Sequence, residues 1–191
     1  MNNLIQYLKK VKDYRRKQGQ KYPLWVIILI VIFGLMAGHT EYRALEAFGK
    51  SQQLIWSKYL QVKLDSMPSY STIRRAMTGI DWAELIELFN QWAGELMADD
   101  TEFNWFAIDG KCLRSTVQNC CENRQNFVSI ISVFLPKNGL VLHLDKICNN
   151  ETSELSKVQD IVRNIDCKNQ VFTLDARALS TSNCYPNYCG R

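Results

Sequence analysis

The sequence predicts an all-helical amino-terminal domain followed by an α/β domain, in which three antiparallel strands, a helix and a fourth, parallel strand follow one another. Two observations support this fold class. Apolar residues recur at helical spacing from the start of the chain to about residue 100. Beyond that point, short apolar runs rich in aromatic residues alternate with turn residues, and one amphipathic helix precedes the last run. We therefore place a domain boundary near residue 100, between a helical domain at 1–100 and an α/β domain at 101–176.

Apolar periodicity predicts the helices of the first domain. Residues 2–17 combine an apolar stripe with a basic face, and residues 23–38 form a strongly apolar helix. A long helix then begins near Thr40, which can cap it, and continues through "EYRALEAFGKSQQLIWSKYL". The last helix is "DWAELIELFNQWAGELM", where Asp81 can act as the cap and Glu84 has the spacing of a capping box.

Between these two long helices, "PSYSTIRRAM" predicts a short helix with a serine cap at Ser69 or Ser71. This helix carries Arg74 and Arg75, and a turn and a second helix follow it, which is the order found in a helix-turn-helix. The two arginines would then contact DNA phosphates, whereas the alternative is a solvated helix face. The basic run Lys9–Lys21 has the same two interpretations, and anionic lipid is a further partner for it.

The apolar segment "PLWVIILIVIFGLMAG" has two interpretations. It follows the basic run "RRKQGQK", a combination that imitates a membrane anchor with a positive flank. Its uncharged part is shorter than the roughly 20 residues that a spanning helix needs, and Pro23 suits the first turn of a soluble helix. We interpret it as a buried helix, and a membrane anchor formed by residues 24–37 remains the alternative.

Strand patterns predict the second domain. "FNWFAID", "NFVSIISVFLP" and "GLVLHLDKI" read as three successive strands, the last two joined by a Lys-Asn-Gly turn. "TSELSKVQDIVRNI" then predicts a helix, and "NQVFTLDA" a fourth strand. The helix returns the chain, so the fourth strand can run parallel to the first.

An acid follows each of the two strands predicted to be parallel neighbours. Asp109 ends the first strand and Asp175 the fourth, so both are expected at the carboxyl ends of the strands, where open α/β sheets bind ligands. Paired carboxylates repel each other unless a cation lies between them, which favours a hard divalent metal and phosphoryl-transfer chemistry. Gly110 allows a close backbone turn, and Lys111 and Arg114 can meet phosphates. The alternative is that Asp109 and Gly110 simply start a turn.

Composition alone leaves the function open. The chain has 191 residues and a net charge of +4, which suits an anionic partner without requiring one. Its 7 cysteines show no zinc-type spacing, so reduced, cytosolic thiols are expected. The 2 histidines, His39 and His143, lie far apart in the sequence, which disfavours a histidine-based metal site or nucleophile.

Five segments, in order, resemble the DDE transposases of bacterial insertion sequences, specifically the H-repeat-associated group. They are "DYRRKQGQKYPLWVIILIVIFGLMAG", "PSYSTIRRAM", "AIDGKCLRS", "NNETSEL" and "FTLDA", and the resemblance extends from about residue 4 to residue 176. It implies an amino-terminal helical domain and an RNase H-like catalytic domain that cuts and joins DNA with Mg²⁺ or Mn²⁺. Carried over by position, Asp109 matches the first catalytic acid, Asp175 the second, and Glu154 an acid in a supporting role.

The resemblance also implies partners and a location. The partners are DNA, at insertion-sequence ends and at the target, and either further copies of the chain or an intact transposase. The location is the bacterial cytoplasm, in association with the nucleoid, and a membrane partner is disfavoured.

Residues 177–191, "RALSTSNCYPNYCGR", depart from the family pattern. The segment has no apolar periodicity, and its composition resembles an out-of-frame tail. The family's third acid is not found here, so we expect a truncated transposase whose activity as an enzyme is uncertain. Two alternatives are a DNA-binding remnant without chemistry and a small membrane-associated protein.

Overall fold

The computed structural model describes residues 2–60, 62, 64–96, 104–118, 126–148, 154–164 and 170–174. The chain divides into two compact units, Met1–Leu88 and Phe89–Arg191. The division falls within a helix, before the change in sequence pattern near residue 100. Asp175 and the tail at 177–191 lie outside the described residues.

The first unit is built from helices, which confirms the predicted class of this part of the chain. The α-helices are α1 (Asn2–Leu8), α2 (Leu24–Met36), α3 (Tyr42–Ser51), α4 (Gln53–Leu60), α5 (Tyr70–Gly79) and α6 (Trp82–Glu95), with a 3₁₀ helix at Lys17–Gly19. The second half of α6 belongs to the second unit.

The prediction of one amphipathic helix over residues 2–17 is wrong, because α1 ends at Leu8. Local polar contacts compete with helix formation beyond that point. The Asp13 carboxylate accepts hydrogen bonds from the Arg15 backbone N–H (3.1 Å) and from its guanidinium (2.9 and 2.7 Å). These bonds from Arg15 lower the pKa of Asp13 below its ordinary value. Arg15 also donates to the Tyr22 carbonyl at 2.8 Å, which fixes the bend.

The predicted long helix from Thr40 onward is two helices, α3 and α4, with Gln52 between them. Ser51 Oγ donates to the Phe48 carbonyl at 2.9 Å, a bond typical of helix ends and bends. Glu41, not Thr40, occupies the N-cap position of α3.

The core of the first unit surrounds α2. Its consecutive residues Val26 to Ile30 are at most 1% exposed, and five residues at about 100° each cover the full circumference of a helix. A helix that is apolar on every side is a buried one. At Gly34 an added Cβ would overlap the Leu45 side chain and contact Phe48, so α2 and α3 approach closely there.

The segment Lys17–Met36 is apolar enough and long enough, by composition, to be a candidate membrane span. The structure interrupts it, because a 3₁₀ helix at Lys17–Gly19 is separate from α2. The 13 residues of α2 extend over about 20 Å, less than the roughly 30 Å of a bilayer core. The geometry of this segment therefore fits the predicted buried helix.

The start of α6 confirms the predicted cap and corrects the predicted capping box. Asp81 Oδ1 accepts hydrogen bonds from the backbone N–H groups of Ala83 (2.9 Å) and Glu84 (3.3 Å). The Glu84 carboxylate instead accepts the Lys12 backbone N–H, at 3.2 and 3.3 Å from its two oxygens. Glu84 therefore fixes the segment after α1 instead of closing the capping box.

The second unit contains a mixed four-stranded sheet with the predicted strand order and directions. Its elements are β1 (Asn104–Gln118), β2 (Asn126–Leu135), β3 (Leu140–Cys148), α7 (Glu154–Asn164) and β4 (Gln170–Leu174). The order across the sheet is β3-β2-β1-β4. β1 pairs with β2, and β2 with β3, in antiparallel fashion, whereas β4 runs parallel to β1. Gly139, at φ +65, completes the turn between β2 and β3.

A second core lies between the sheet and α7. Alternate residues of the strands pack there with Val158 and Ile161 of α7, and the buried strand residues are Phe106, Ile108, Ile131, Val133, Leu135 and Ile147. Because side chains alternate along a strand, residues 105, 107, 109 and 111 of β1 belong to the opposite face of the sheet. That face carries Asp109.

Candidate active site

Asp109 lies in β1 on the sheet face opposite α7, and it is exposed. Its register partner on β2 is Ser132, whose Oγ donates to the Asp109 backbone carbonyl at 3.4 Å. The prediction that Asp109 ends its strand is wrong, because β1 continues to Gln118. Antiparallel pairing with β2 extends the strand, with Gly110 opposite Ile131, so Gly110 lies within the strand instead of in a turn.

The parallel pairing of β1 with β4 ends just before Asp109. Ile108 is the register partner of Leu174 and the last pair of this ladder. Asp109 and Asp175 are the next residues in the sequence after Ile108 and Leu174. The sheet thus brings together the two backbone positions that precede the two predicted acids, while Asp175 lies outside the described residues.

The other predicted site residues are described to different extents. Lys111 is exposed and lies two positions along β1 from Asp109, on the same sheet face. Arg114 is part of β1 and Glu154 is the first residue of α7, and the structure describes their backbone alone.

The donors that are described suit a metal ligand set only in part. The Asp109 carboxylate is exposed and has no ion pair with any residue that the structure describes, so a cation can reach it. Within the described ranges, no group of three His, Cys, Asp or Glu side chains could hold a metal ion. Asp109 therefore fits as one oxygen ligand, and a complete site needs carboxylates from elsewhere.

Arg74 and Arg75 are adjacent and exposed on α5, but they differ in their contacts. Arg75 Nε donates to the Ser71 carbonyl at 3.2 Å. The Tyr14 hydroxyl donates to the backbone carbonyls of Arg75 (2.6 Å) and Ala76 (3.1 Å). The Arg74 guanidinium makes no side-chain hydrogen bond or ion pair with another described residue, which leaves its donors available to an anion.

A third arginine, Arg43 of α3, lies near the start of α5. The Arg43 guanidinium lies 5.5 Å from the centroid of the Tyr70 ring, and Tyr70 precedes Arg74 by one helical turn. Tyr70 itself is 43% exposed. Sequence reasoning missed Arg43 and Tyr70; the spacing from Tyr70 to Arg74 was visible, but the contact with α3 is tertiary.

The α5 amino terminus is already occupied by a carboxylate. Glu46 Oε2 accepts the Tyr70 backbone N–H at 2.8 Å, and its Oε1 accepts from Lys50 Nζ at 2.6 Å. The hydrogen bond from Lys50, followed by that from Tyr70, lowers the pKa of Glu46. Anion binding by this helix therefore depends on arginine side chains and not on its terminal N–H groups.

Comparisons with known proteins agree with these features. The family model described as DDE_Tnp_1-associated matches residues 5–93. The chain is 26% identical over 176 residues, 92% of its length, to the protein named "Putative transposase YncI" of Escherichia coli O157:H7. The chain is a relative of the DDE-type insertion-sequence transposases. The protein of the same name in Escherichia coli K12 is also 26% identical over 176 residues.

The chain matches only part of the length of each of these relatives. It spans 44% of the length of the O157:H7 protein and 69% of that of the K12 protein. It is also 20% identical over 171 residues to the "Uncharacterized protein in dhlA 3'region" of Xanthobacter autotrophicus, covering 89% of the chain and 56% of that protein. No solved structure matches the chain.

Proposed function

We propose that the second unit is part of an RNase H-like domain that cleaves and transfers DNA strands with a divalent metal. The observation that carries this proposal is the register of β1 and β4, in which Ile108 pairs with Leu174. Each of these residues precedes an aspartate. Two carboxylates at the ends of neighbouring parallel strands are a natural ligand set for Mg²⁺ or Mn²⁺.

In this proposal Asp109 and Asp175 hold the metal. When bound, the metal supplies charge stabilisation for the attacking and leaving oxygens of phosphoryl transfer. Lys111 lies on the same sheet face as Asp109 and is exposed, so its ammonium can contact the DNA backbone. Arg114, three residues further along β1, is a second proposed contact to DNA phosphates, and Glu154 supports the site from the start of α7.

The helical unit binds DNA in this proposal, through Arg74 and Arg75 on α5. The support is the exposed position of both arginines and the lack of competing partners for Arg74 among the described residues. Arg43 adds a positive charge beside the partly exposed Tyr70 ring. The DNA substrates are insertion-sequence ends and target sites, and the protein acts in the cytoplasm at the nucleoid, with further copies or an intact transposase.

A second candidate function is DNA binding without chemistry. It is favoured by a family match that covers the helical residues 5–93. The candidate membrane role of residues 24–37 receives no support from the interrupted segment described above.

Plasmid nicking and DNA binding separate these functions. Purified protein is incubated with supercoiled plasmid in Mg²⁺, in Mn²⁺ and in EDTA, and binding to linear duplex is measured at low and high salt. Metal-dependent nicking supports the catalytic proposal. Binding that weakens with salt but is never accompanied by nicking supports the second function. If the protein shows neither nicking nor salt-sensitive DNA binding, both functions are contradicted.

A further inference from the structure

The outer edge of β3 is covered at one residue by a side chain. In the described sheet β3 pairs only with β2, so it is an edge strand. Asn90, in the half of α6 that belongs to the same unit, contacts it. Its Nδ2 donates to the Leu144 carbonyl at 2.9 Å, and its Oδ1 accepts the Leu144 backbone N–H at 2.8 Å.

This two-bond exchange is the one that a neighbouring strand would make. In an antiparallel ladder, two opposed residues of a hydrogen-bonded pair each give an N–H and accept at a C=O. The carboxamide of Asn90 offers the same donor and acceptor from one side chain. The outward backbone groups of Leu144, on the side away from its β2 partner Ser132, are therefore satisfied without a fifth strand.

The identity of the side chain matters for this contact. An aspartate at position 90 keeps the acceptor but loses the donor, and it places a carboxylate beside the Leu144 carbonyl oxygen. An alanine leaves both backbone groups of Leu144 open. Nearby, Lys146 is exposed on the same strand, and a lysine on an edge strand is a common obstacle to pairing between chains.

We propose that Asn90 protects the edge of β3, so that this strand does not pair with the β3 edge of a second copy of the chain. An uncovered edge strand presents unpaired N–H and C=O groups that another strand can bind. The middle of β3 is where such pairing would be most damaging, and Leu144 lies there. Protection of this edge by Asn90 is independent of the proposed chemistry, because it involves neither the two acids nor the arginines.

The test uses the full chain with Asn90→Ala and Asn90→Asp. We expect Asn90→Ala to self-associate with rising concentration in sedimentation velocity, and its Leu144 amide to exchange with solvent about tenfold faster, as expected for the loss of one hydrogen bond. Gly94→Ala is the control in the same helix: an added Cβ there meets nothing within 4 Å, so this variant should associate no more than the unmodified protein.

A double variant separates edge pairing from loss of stability. Leu144→Pro removes the outward N–H, and proline is tolerated on edge strands at positions whose N–H faces outward. Asn90→Ala with Leu144→Pro should return to the association state of the unmodified protein if β3 edges pair. The proposal is overturned if the added association persists in the double variant, or if Asn90→Ala matches the unmodified protein in both its association and its exchange at Leu144.

Discussion

Ile108 and Leu174 are register partners on the parallel strands β1 and β4, and each is followed in the sequence by an aspartate. This pairing leads to the first prediction, the effect of Asp109→Asn. Because an amide is a far weaker metal ligand than a carboxylate, Mn²⁺ affinity should fall by at least about tenfold in isothermal titration. The exposed position of Asp109 means that the stability of the fold should change by less than about 0.5 kcal/mol.

The matched control for Asp109 is Asp160→Asn. Asp160 is also a surface acid, 55% exposed at its side chain, on α7, and it pairs with Arg163 at 3.6 Å. Asp160→Asn removes the same charge as Asp109→Asn, but at a position away from the sheet face that carries Asp109. Equal Mn²⁺ binding by both variants and the unmodified protein would contradict a metal site at Asp109.

Arg74 and Arg75 should contribute unequally to DNA binding. Arg74 has no competing side-chain partner among the described residues, whereas Arg75 Nε is bonded to the Ser71 carbonyl at 3.2 Å. Arg74→Ala should weaken duplex binding and reduce the slope of log K against log salt by about 1, as one lost phosphate contact does. Arg75→Ala should change this slope less. Fluorescence anisotropy across a salt series measures the slopes of both variants. If Arg75→Ala changes the slope as much as Arg74→Ala, the hydrogen bond to the Ser71 carbonyl does not restrain the Arg75 side chain.

Two glycine substitutions in helices should have opposite effects on stability. At Gly34 an alanine Cβ would overlap the Leu45 side chain, and overpacking of this kind costs about 1–3 kcal/mol. At Gly94 nothing lies within 4 Å of the added Cβ, so alanine should stabilise the helix by about 0.5–1 kcal/mol. Urea unfolding of both variants tests this, and a stabilised Gly34→Ala protein would mean that α2 and α3 can move apart at little cost.

His143 should make stability depend on pH in the mildly acidic range. Burial lowers its pKa below the ordinary value of 6.5, and Lys157 acts in the same direction, whereas Asp145 opposes the shift. Between the folded-state pKa and 6.5 the unfolded chain therefore binds more protons than the folded one. Stability should fall as the pH decreases from about 6.5 to the folded-state pKa, and then level off.

The measurement for His143 is the urea midpoint across this pH range, in the unmodified protein and in His143→Gln. Glutamine cannot be protonated there, so its curve should be flatter between pH 6.5 and the folded-state pKa. Parallel curves for the two proteins would assign the pH dependence to other groups.

Strand order was predictable because each strand has a local signature and the connections leave few choices. The helix α7 between β3 and β4 returns the chain, which makes β4 parallel to β1. The end of α1 was not predictable, because it depends on Arg15 bonding both Asp13 and the Tyr22 carbonyl. The bond from Arg15 to the Tyr22 carbonyl can form only after the chain has bent, so it competes with the helix only in the folded arrangement.

For the candidate site, the sequence predicted the strand pairing that leads to Asp109 but not the length of its strand. The sequence shows that an acid follows an apolar run. The pairing of Ile108 with Leu174 agrees with the predicted topology. The continuation of β1 beyond Asp109 was missed, because Asp-Gly is typical of turns, while β2 supplies the pairing that keeps this stretch extended. The contact of Arg43 with Tyr70 joins two helices and has no local signal.

The full burial of α2 also has a consequence for synthesis of the protein. The ribosome produces α2 (Leu24–Met36) before α3 (Tyr42–Ser51) and α5 (Tyr70–Gly79), and residues of both later helices cover it in the finished core. Until they emerge, only α1 and the segment that follows it, both synthesised earlier, can cover part of this wholly apolar helix. Nascent α2 is therefore a natural substrate for chaperones at the exit tunnel, and slow translation between residues 36 and 79 would lengthen its exposure.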